Sequence, residues 1–289
     1  MRLCLGTVQF GLSYGVANKS GQLDPGEGRA LLEVARQSGI DMLDTAVAYG
    51  VSEQRLGEFG IDAWKVVTKL PAYGETTEPR AWVRAHVEGS LARLRKQRLY
   101  GLLMHRSADL LGPAGSEIAV GMAELRDRGL VGKVGVSIYD PEELDALEGV
   151  FAPELVQAPF NILDRRIVRS GWLDRLKARG AEVHTRSAFL QGLLLMNDAE
   201  RPAYFARWDH LWRQWRDWLR DTGGEAVRAC LGFILSHPGV DRVVVGVDGV
   251  GHLQALIAAA GNTGALPPDS LGTEDLELLN PSKWPPRKT

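Results

Sequence analysis

The feature that most limits how this chain can fold is an eightfold alternation of short apolar runs with helical stretches. The runs are Leu3 to Val8, Ile40 to Leu43, Trp64 to Leu70, Leu99 to Met104, Val134 to Ser137, Glu154 to Gln157, Ala181 to Thr185 and Arg242 to Gly246. Each has the length and apolar content of a strand buried on both faces. Helical patterns separate them. Asp24-Pro25-Gly26-Glu27 opens one, with Asp as N-cap and Pro in the first turn, and Leu31, Leu32, Val34 and Ala35 give it an apolar face before Gly39 ends it. Further helices are expected from Ser52 to Phe59, Pro79 to about Arg95, Ser116 to Arg128, Pro141 to Leu147, Ile167 to Arg179, Glu225 to Leu235 and Gly251 to Ala260. Strands alternating with helices imply parallel strands with short connections. Eight of them in 289 residues point to an α/β fold, a closed (β/α)8 TIM barrel. A doubly wound sheet would carry fewer strands and a Gly-rich phosphate loop after the first, and no G-x-G-x-x-G stands there. No Pro/Ser/Gly-rich linker divides the chain, so residues 1–289 read as a single domain.

One segment breaks the alternation. Residues 198–222, after the seventh strand, carry Tyr204, Phe205, Trp208, Trp212, Trp215 and Trp218 among Arg207, Arg213, Arg216 and Arg220. Trp208, Trp212 and Trp215 fall at i, i+4 and i+7, one face of a helix. The spacing favours an inserted aromatic-rich helix packed on the barrel; the competing reading has one or two of these rings lining a substrate pocket. The tail after Gly264, rich in Pro and polar residues, reads as a surface wrap or partial lid.

Composition narrows the function. A chain with 45% apolar and 24% charged residues is a folded protein rather than a disordered one. Its formal charge of -2, with both signs well mixed, leaves no footprint for nucleic acid or an anionic membrane. The two cysteines, Cys4 and Cys230, offer neither a disulfide framework nor metal-ligand spacing, so no metal is expected. The N-terminal apolar run is too short for a signal peptide and no run approaches membrane-spanning length. A cytoplasmic enzyme or binding protein is the resulting expectation, either a monomer or a small homo-oligomer.

In a barrel the functional face lies where strands end and βα loops begin. Gly6 and Thr7, Asp44 and Tyr49, Lys69, His105, Ser137, Gln157, Arg186 and Gly246 stand at those positions. Each has a plain structural alternative: Asp44 could cap a turn, Lys69 could be a solvated cation, His105 could rest on a backbone carbonyl, and Tyr49 could be a loop aromatic. Four such groups on one face are harder to explain that way.

Gly6-Thr7, Asp44-Thr45-Ala46 with Tyr49-Gly50, Thr68-Lys69 and His105, in this order and context, resemble the aldo-keto reductase family, and the similarity runs from Leu5 to about Ala260. The resemblance implies a carbonyl reductase that uses NADPH or NADH on a small carbonyl substrate, with Tyr49 as general acid, Lys69 paired with Asp44 to lower the phenol's pKa, and His105 orienting the carbonyl. The physics is consistent: a phenol near pKa 10 is a poor acid-base catalyst at neutral pH without a neighbouring cation, and a buried lysine needs an acid to offset its charge. Gly6, Thr7, Asp44, Ser137, Gln157, Arg186, Gly246, Asp248 and His252 are the implied cofactor-binding residues.

The chain departs from the family at three places. Ile138 follows Ser137 where relatives often have Asn. Arg186 replaces a Tyr that stacks on the nicotinamide; it could stack instead, or bond a carboxylate such as Glu154 or Asp44. After the eighth strand, Gly246-Val247-Asp248-Gly249-Val250-Gly251-His252 has no Lys or Arg to hold a 2′-phosphate; the helix N-terminus there could still attract phosphate, and Asp248 could bond a free ribose hydroxyl. The alternatives are a regulatory protein that holds the cofactor with little turnover, and a barrel enzyme of another class, such as a phosphate-binding isomerase or aldolase.

Overall fold

The computed structural model describes residues 1–18, 20–74, 77–261 and 264–285. Eight parallel strands, β1 (Leu3–Gly6), β2 (Met42–Asp44), β3 (Lys65–Leu70), β4 (Leu99–Met104), β5 (Val131–Ser137), β6 (Leu155–Pro159), β7 (Glu182–Arg186) and β8 (Arg242–Gly246), pair in chain order. β8 pairs with β1 to close the barrel, with Gly6 opposite both Asp44 and Gly246. The helices are α1 (Val8–Gly11), α2 (Pro25–Gln37), α3 (Ser52–Phe59), α4 (Pro79–Leu94), α5 (Gly115–Asp127), α6 (Glu142–Leu147), α7 (Arg166–Arg169), α8 (Trp172–Ala178), α9 (Asp209–Thr222), α10 (Ala226–Leu235), α11 (Val250–Ala260) and α12 (Leu276–Leu279). The (β/α)8 barrel expected from the alternation is the architecture found.

Several expected boundaries move: β5 begins at Val131 rather than Val134 and β6 runs on to Pro159 rather than Gln157, and those that follow have a local reason. β1 stops at Gly6 rather than Val8, because Thr7 turns in to hold the end of β2: its N–H and its hydroxyl both donate to the Asp44 carbonyl at 2.9 Å. β2 begins at Met42 rather than Ile40, because the Ile40 N–H bonds back to Ala35 in the last turn of α2. Asp44 is therefore the last strand residue and not the first loop residue. The helix expected over 167–179 is two pieces, since Gly171 between α7 and α8 sits at φ +76°, a conformation that ends a right-handed helix. The α2 start is as read: the Asp24 carboxylate accepts from the Gly26 N–H at 2.8 Å.

Apolar packing occurs in two places. The larger core lies between strands and helices. The smaller is a plug of Cys4, Met42, Val67, Leu103 and Leu155, one residue from each of five strands. Side chains on a strand repeat every two residues. The residues two positions further along these strands, Gly6, Asp44, Lys69, His105 and Gln157, consequently occupy the same inward face, one step nearer the C-terminal mouth. At the opposite end the Glu182 carboxylate accepts from the Tyr100 hydroxyl at 2.6 Å and the Lys133 ammonium at 2.5 Å, and its other oxygen lies 2.8 Å from His184 Nε2.

The insertion packs as its spacing suggested. Trp208, Trp212 and Trp215 are buried, and their indole N–H groups donate to Asp275, the Phe205 carbonyl and the Leu194 carbonyl at 2.8–2.9 Å. Only 209–222 is α-helical; two 3-10 turns, Asp198–Glu200 and Ala203–Trp208, lead into it. The tail lies over this block: Trp284 meets Phe205 edge-on at 4.9 Å, and Asp269 pairs with Arg165 at 2.6 Å. Among the described residues no helix is long and apolar enough to cross a membrane.

Candidate active site

The mouth of the barrel is organised by a buried ion pair. Lys69 Nζ lies 2.6 Å from Asp44 Oδ1 and donates to the Thr45 carbonyl at 2.9 Å; the two side chains are 1% and 4% exposed. The other carboxylate oxygen, Oδ2, accepts from Gln157 Nε2 at 2.7 Å. Burial alone would lower the lysine's pKa, but the charges of Asp44 and Tyr49 and the bond to Asp44 together hold it above its usual value. Lys69 is thus a cation fixed beneath the mouth.

Tyr49 lies against this cation, with Lys69 Nζ 5.3 Å from its ring centre. Two glycines fix its loop. A Cβ on Gly11 would fall 1.7 Å from the Tyr49 carbonyl oxygen, and one on Gly50, at φ +57°, would fall 2.7 Å from the Gly11 carbonyl oxygen. No other residue type permits that approach. Burial raises the phenol's pKa; Lys69 pulls it down less than burial pushes it up, so the group is held above 10. Lys69 acts in the expected direction, downward, while burial acts the other way and more strongly. The Tyr49 hydroxyl therefore keeps its proton at neutral pH.

His105 meets Tyr49 edge to face at 6.0 Å. No protein hydrogen bond engages its ring among the described residues, so the backbone-carbonyl alternative does not hold. Burial, then the charges of Lys69 and Arg186, push its pKa down to about 4, leaving a neutral imidazole at neutral pH.

A cavity of about 330 Å³ opens over these groups. Gly6, Thr7, Asp44, Tyr49, Gln157, Arg186, Gly246, Asp248 and His252 line it; Lys69, His105 and Ser137 do not. Lys69 is buried behind Asp44, and Ser137 sits opposite Gln157 in the β5–β6 register. The alternative partners for Arg186 are absent: its guanidinium donates to the Ile138 carbonyl at 2.9 Å and Ser187 Oγ at 3.3 Å, and stacks 4.4 Å from the Tyr139 ring. Glu154 bonds Arg126 instead. Asp248 accepts from Asn18 Nδ2 at 2.7 Å. None of the insertion's tryptophans or arginines reaches the cavity among the described residues, and no described tail residue does; Leu195 and Met196, just before the insertion, and Glu200, near its start, do.

The sequence reading passed over Gln9. It is 7% exposed, lines the cavity, and its Oε1 has no partner. A buried acceptor left unpaired is costly, and one facing a cavity fits a ligand donor. A Cβ on Gly246 would come within 2.9 Å of the same side chain, so glycine there keeps the space open. With Asp248 and the N-terminus of α11, these residues fit an extended dinucleotide; the only clue in the sequence is the place of Gln9 just past the end of β1. Among the described residues no group of three or more His, Cys, Asp or Glu could hold a metal ion.

Comparison with known proteins agrees with this geometry. The model of the aldo/keto reductase family matches residues 2–273. Aldo-keto reductase YhdN of Bacillus subtilis is 27% identical over 278 residues, spanning 86% of this chain and 81% of that one. The crystal structure of a proposed aldo-keto reductase of Pseudomonas aeruginosa superimposes with a TM-score of 0.67 at 28% identity, covering 90% of this chain and 89% of that one. An aldo-keto reductase of Bacillus halodurans in its holo form has the same fold, with a TM-score of 0.72 at 21% identity over 91% of this chain and 88% of that one. With the family model matching residues 2–273, nearly the whole barrel, the chain belongs to the aldo/keto reductase family and is an NAD(P)H-dependent oxidoreductase.

Proposed function

We propose that this protein reduces an aldehyde or ketone to an alcohol, with the Tyr49 hydroxyl delivering the proton to the carbonyl oxygen. One observation carries the assignment: a buried Lys69–Asp44 pair at 2.6 Å lies beneath a tyrosine that lines the cavity at the barrel mouth. A buried ion pair adds little net stability, so its presence at a cavity wall favours a functional role.

The roles follow from charge. The Tyr49 phenol, above pKa 10, keeps its proton until a carbonyl oxygen beside it gains negative charge. Lys69 then stabilises the phenolate left behind, and Asp44 with Gln157 keeps Lys69 in place. Neutral His105 can donate one hydrogen bond to the carbonyl oxygen without repelling Lys69 or Arg186. Gln9, Gly6, Thr7, Ser137, Gly246, Asp248 and His252 would hold a nicotinamide dinucleotide, which supplies the hydride when bound.

The test pairs wild type with Tyr49→Phe. Consumption of NADPH or NADH with 4-nitrobenzaldehyde is followed by absorbance, and cofactor binding by fluorescence. Turnover in wild type, its loss in Tyr49→Phe and similar cofactor affinity in both are expected. Reduction by Tyr49→Phe at more than a small fraction of the wild-type rate removes Tyr49 as the acid. Cofactor binding with no turnover of any aldehyde favours the regulatory reading instead.

A further inference from the structure

We propose that Arg186 makes this enzyme selective for carbonyl substrates that carry a carboxylate or phosphate group, by binding that group in the cavity it shares with Tyr49. The inference rests on the carbonyl-reductase reading and specifies its substrate class.

Arg186 ends β7 and is the only lysine or arginine among the described residues lining the cavity. Other cations near the mouth have acids of their own. Lys69 has Asp44, and Arg166 has Asp164 at 2.8 Å together with Asp140. Arg186 has no carboxylate within ion-pair distance among the described residues. Its partners are a carbonyl, a hydroxyl and an aromatic face. These fix the guanidinium without neutralising it. Two of its five N–H groups are used, and the remaining ones form part of a planar fork suited to an oxyanion. A side chain already held in place loses little freedom on binding.

The loop that follows is built to hold this position. Ser187, Leu190 and Gln191 have φ of +62°, +48° and +53°, three of the four non-glycine residues with positive φ in the described chain. Such backbone is strained and persists only where its surroundings impose it. Here Asn161 Nδ2 donates to the Ser187 carbonyl at 3.0 Å and the Ala17 N–H to the Gln191 carbonyl at 3.2 Å. At Gly192, φ +92°, a Cβ would lie 2.3 Å from that of Ala17. The constraint sits on the wall that presents Arg186.

The charges around it agree. Asp44 is balanced by Lys69, and Asp248 receives the Asn18 amide; Glu200 also lines the cavity. The positive charge of Arg186 reaches both Tyr49 and His105. It would favour the negative charge that develops on a carbonyl oxygen, and an anionic group on the substrate would offset it in the ground state.

The experiment compares matched substrates of similar size. One pair is 4-carboxybenzaldehyde and its neutral methyl ester; the other is glyceraldehyde 3-phosphate and glyceraldehyde. The readout is the ratio of kcat/KM for the charged over the neutral member, in wild type, Arg186→Gln and Arg186→Lys. A wild-type ratio of at least tenfold is expected in one pair, a gap of about 1.4 kcal/mol, arising mainly in KM. The pair that shows it identifies carboxylate or phosphate as the group. The ratio should fall toward one in Arg186→Gln and recover partly in Arg186→Lys. If Arg186 only walls the cofactor, its loss will affect charged and neutral members alike and the ratio will persist, which overturns the proposal. A wild-type ratio near one overturns it too, while leaving the reductase reading intact. Absence of turnover with all four aldehydes overturns the reductase reading and this proposal with it.

Discussion

Replacing Lys69 by Met should separate the structural from the chemical role of the buried pair. At 2.6 Å, and with an effective dielectric of about 20, the gross attraction between the charges is about 6 kcal/mol. Desolvating two ions costs several kcal/mol each, so the net contribution of the pair is small. Removing one partner is different, because it strands the other. Met keeps the length of the side chain but leaves the Asp44 carboxylate with only the Gln157 amide. The expected loss is about 3–5 kcal/mol of stability. Adding Asp44→Asn removes the stranded charge and should restore most of it, a coupling of about 2–3 kcal/mol between neighbouring sites. Turnover should stay down by about two orders of magnitude or more in both variants, the scale of lost acid-base assistance. Urea unfolding followed by far-UV circular dichroism on the four members of the cycle, with turnover on the same samples, measures both quantities. A single variant as stable as wild type, or a double variant no more stable than the single, would refute the charge-stranding argument. Normal turnover in Lys69→Met would remove Lys69 from the chemistry.

Gly11→Ala should displace the Tyr49 loop, since the new Cβ would fall 1.7 Å from the Tyr49 carbonyl oxygen; turnover should drop about tenfold or more with little change in circular dichroism, and wild-type turnover would show that the loop can yield. Because no lysine or arginine stands at 246–251 and Asp248 lines the cavity, NADH should bind within about tenfold of NADPH or more tightly, and Asp248→Arg should tighten NADPH selectively. Dissociation constants at one low salt concentration decide this, and NADPH binding more than about tenfold tighter, a gap of about 1.4 kcal/mol, would defeat it. His105 titrates near 4 when folded against an ordinary 6.5, so the unfolded chain binds the extra proton between these values. Stability contributed at this site is therefore complete above pH 6.5 and is lost as pH falls toward 4, by about 2 kcal/mol at pH 5. Urea unfolding at pH 7.5 and 5 should show this loss reduced in His105→Asn, and an equal loss in both proteins would assign the dependence to other groups.

The barrel was legible because its strands are buried on both faces and so appear as apolar runs rather than alternating ones. The same two-residue periodicity made the inward strand ends legible: Gly6, Asp44, Lys69, His105 and Gln157 all follow a plug residue by two positions. What escaped depends on contacts distant in sequence. Gln157 donates to a carboxylate 113 positions away, and no local pattern announces that bond. Gln9 is notable only because its oxygen is buried beside Gly246. Gly11 looks like any loop glycine until the Tyr49 carbonyl is set against it. The break at Gly171 and the early end of β1 were lost for the same reason, since one left-handed residue or one threonine bonded across to β2 outweighs the local apolar pattern.

The tryptophan block has a spectroscopic consequence. Five of the eight tryptophans, Trp208, Trp212, Trp215, Trp218 and Trp284, belong to the insertion and the tail that lies on it. Trp215 and Trp218 stack at 5.4 Å with their planes 11° apart, a geometry that couples their electronic transitions. Intrinsic emission and near-ultraviolet dichroism are therefore weighted toward this outer block, with Trp64, Trp82 and Trp172 contributing from the barrel, whereas far-ultraviolet dichroism averages over the whole chain. If block and barrel melt together, the two signals trace one transition; if the block detaches first, emission reddens while the barrel's helices and strands persist. A dye-free optical readout weighted toward one part of the molecule is thus built into its composition.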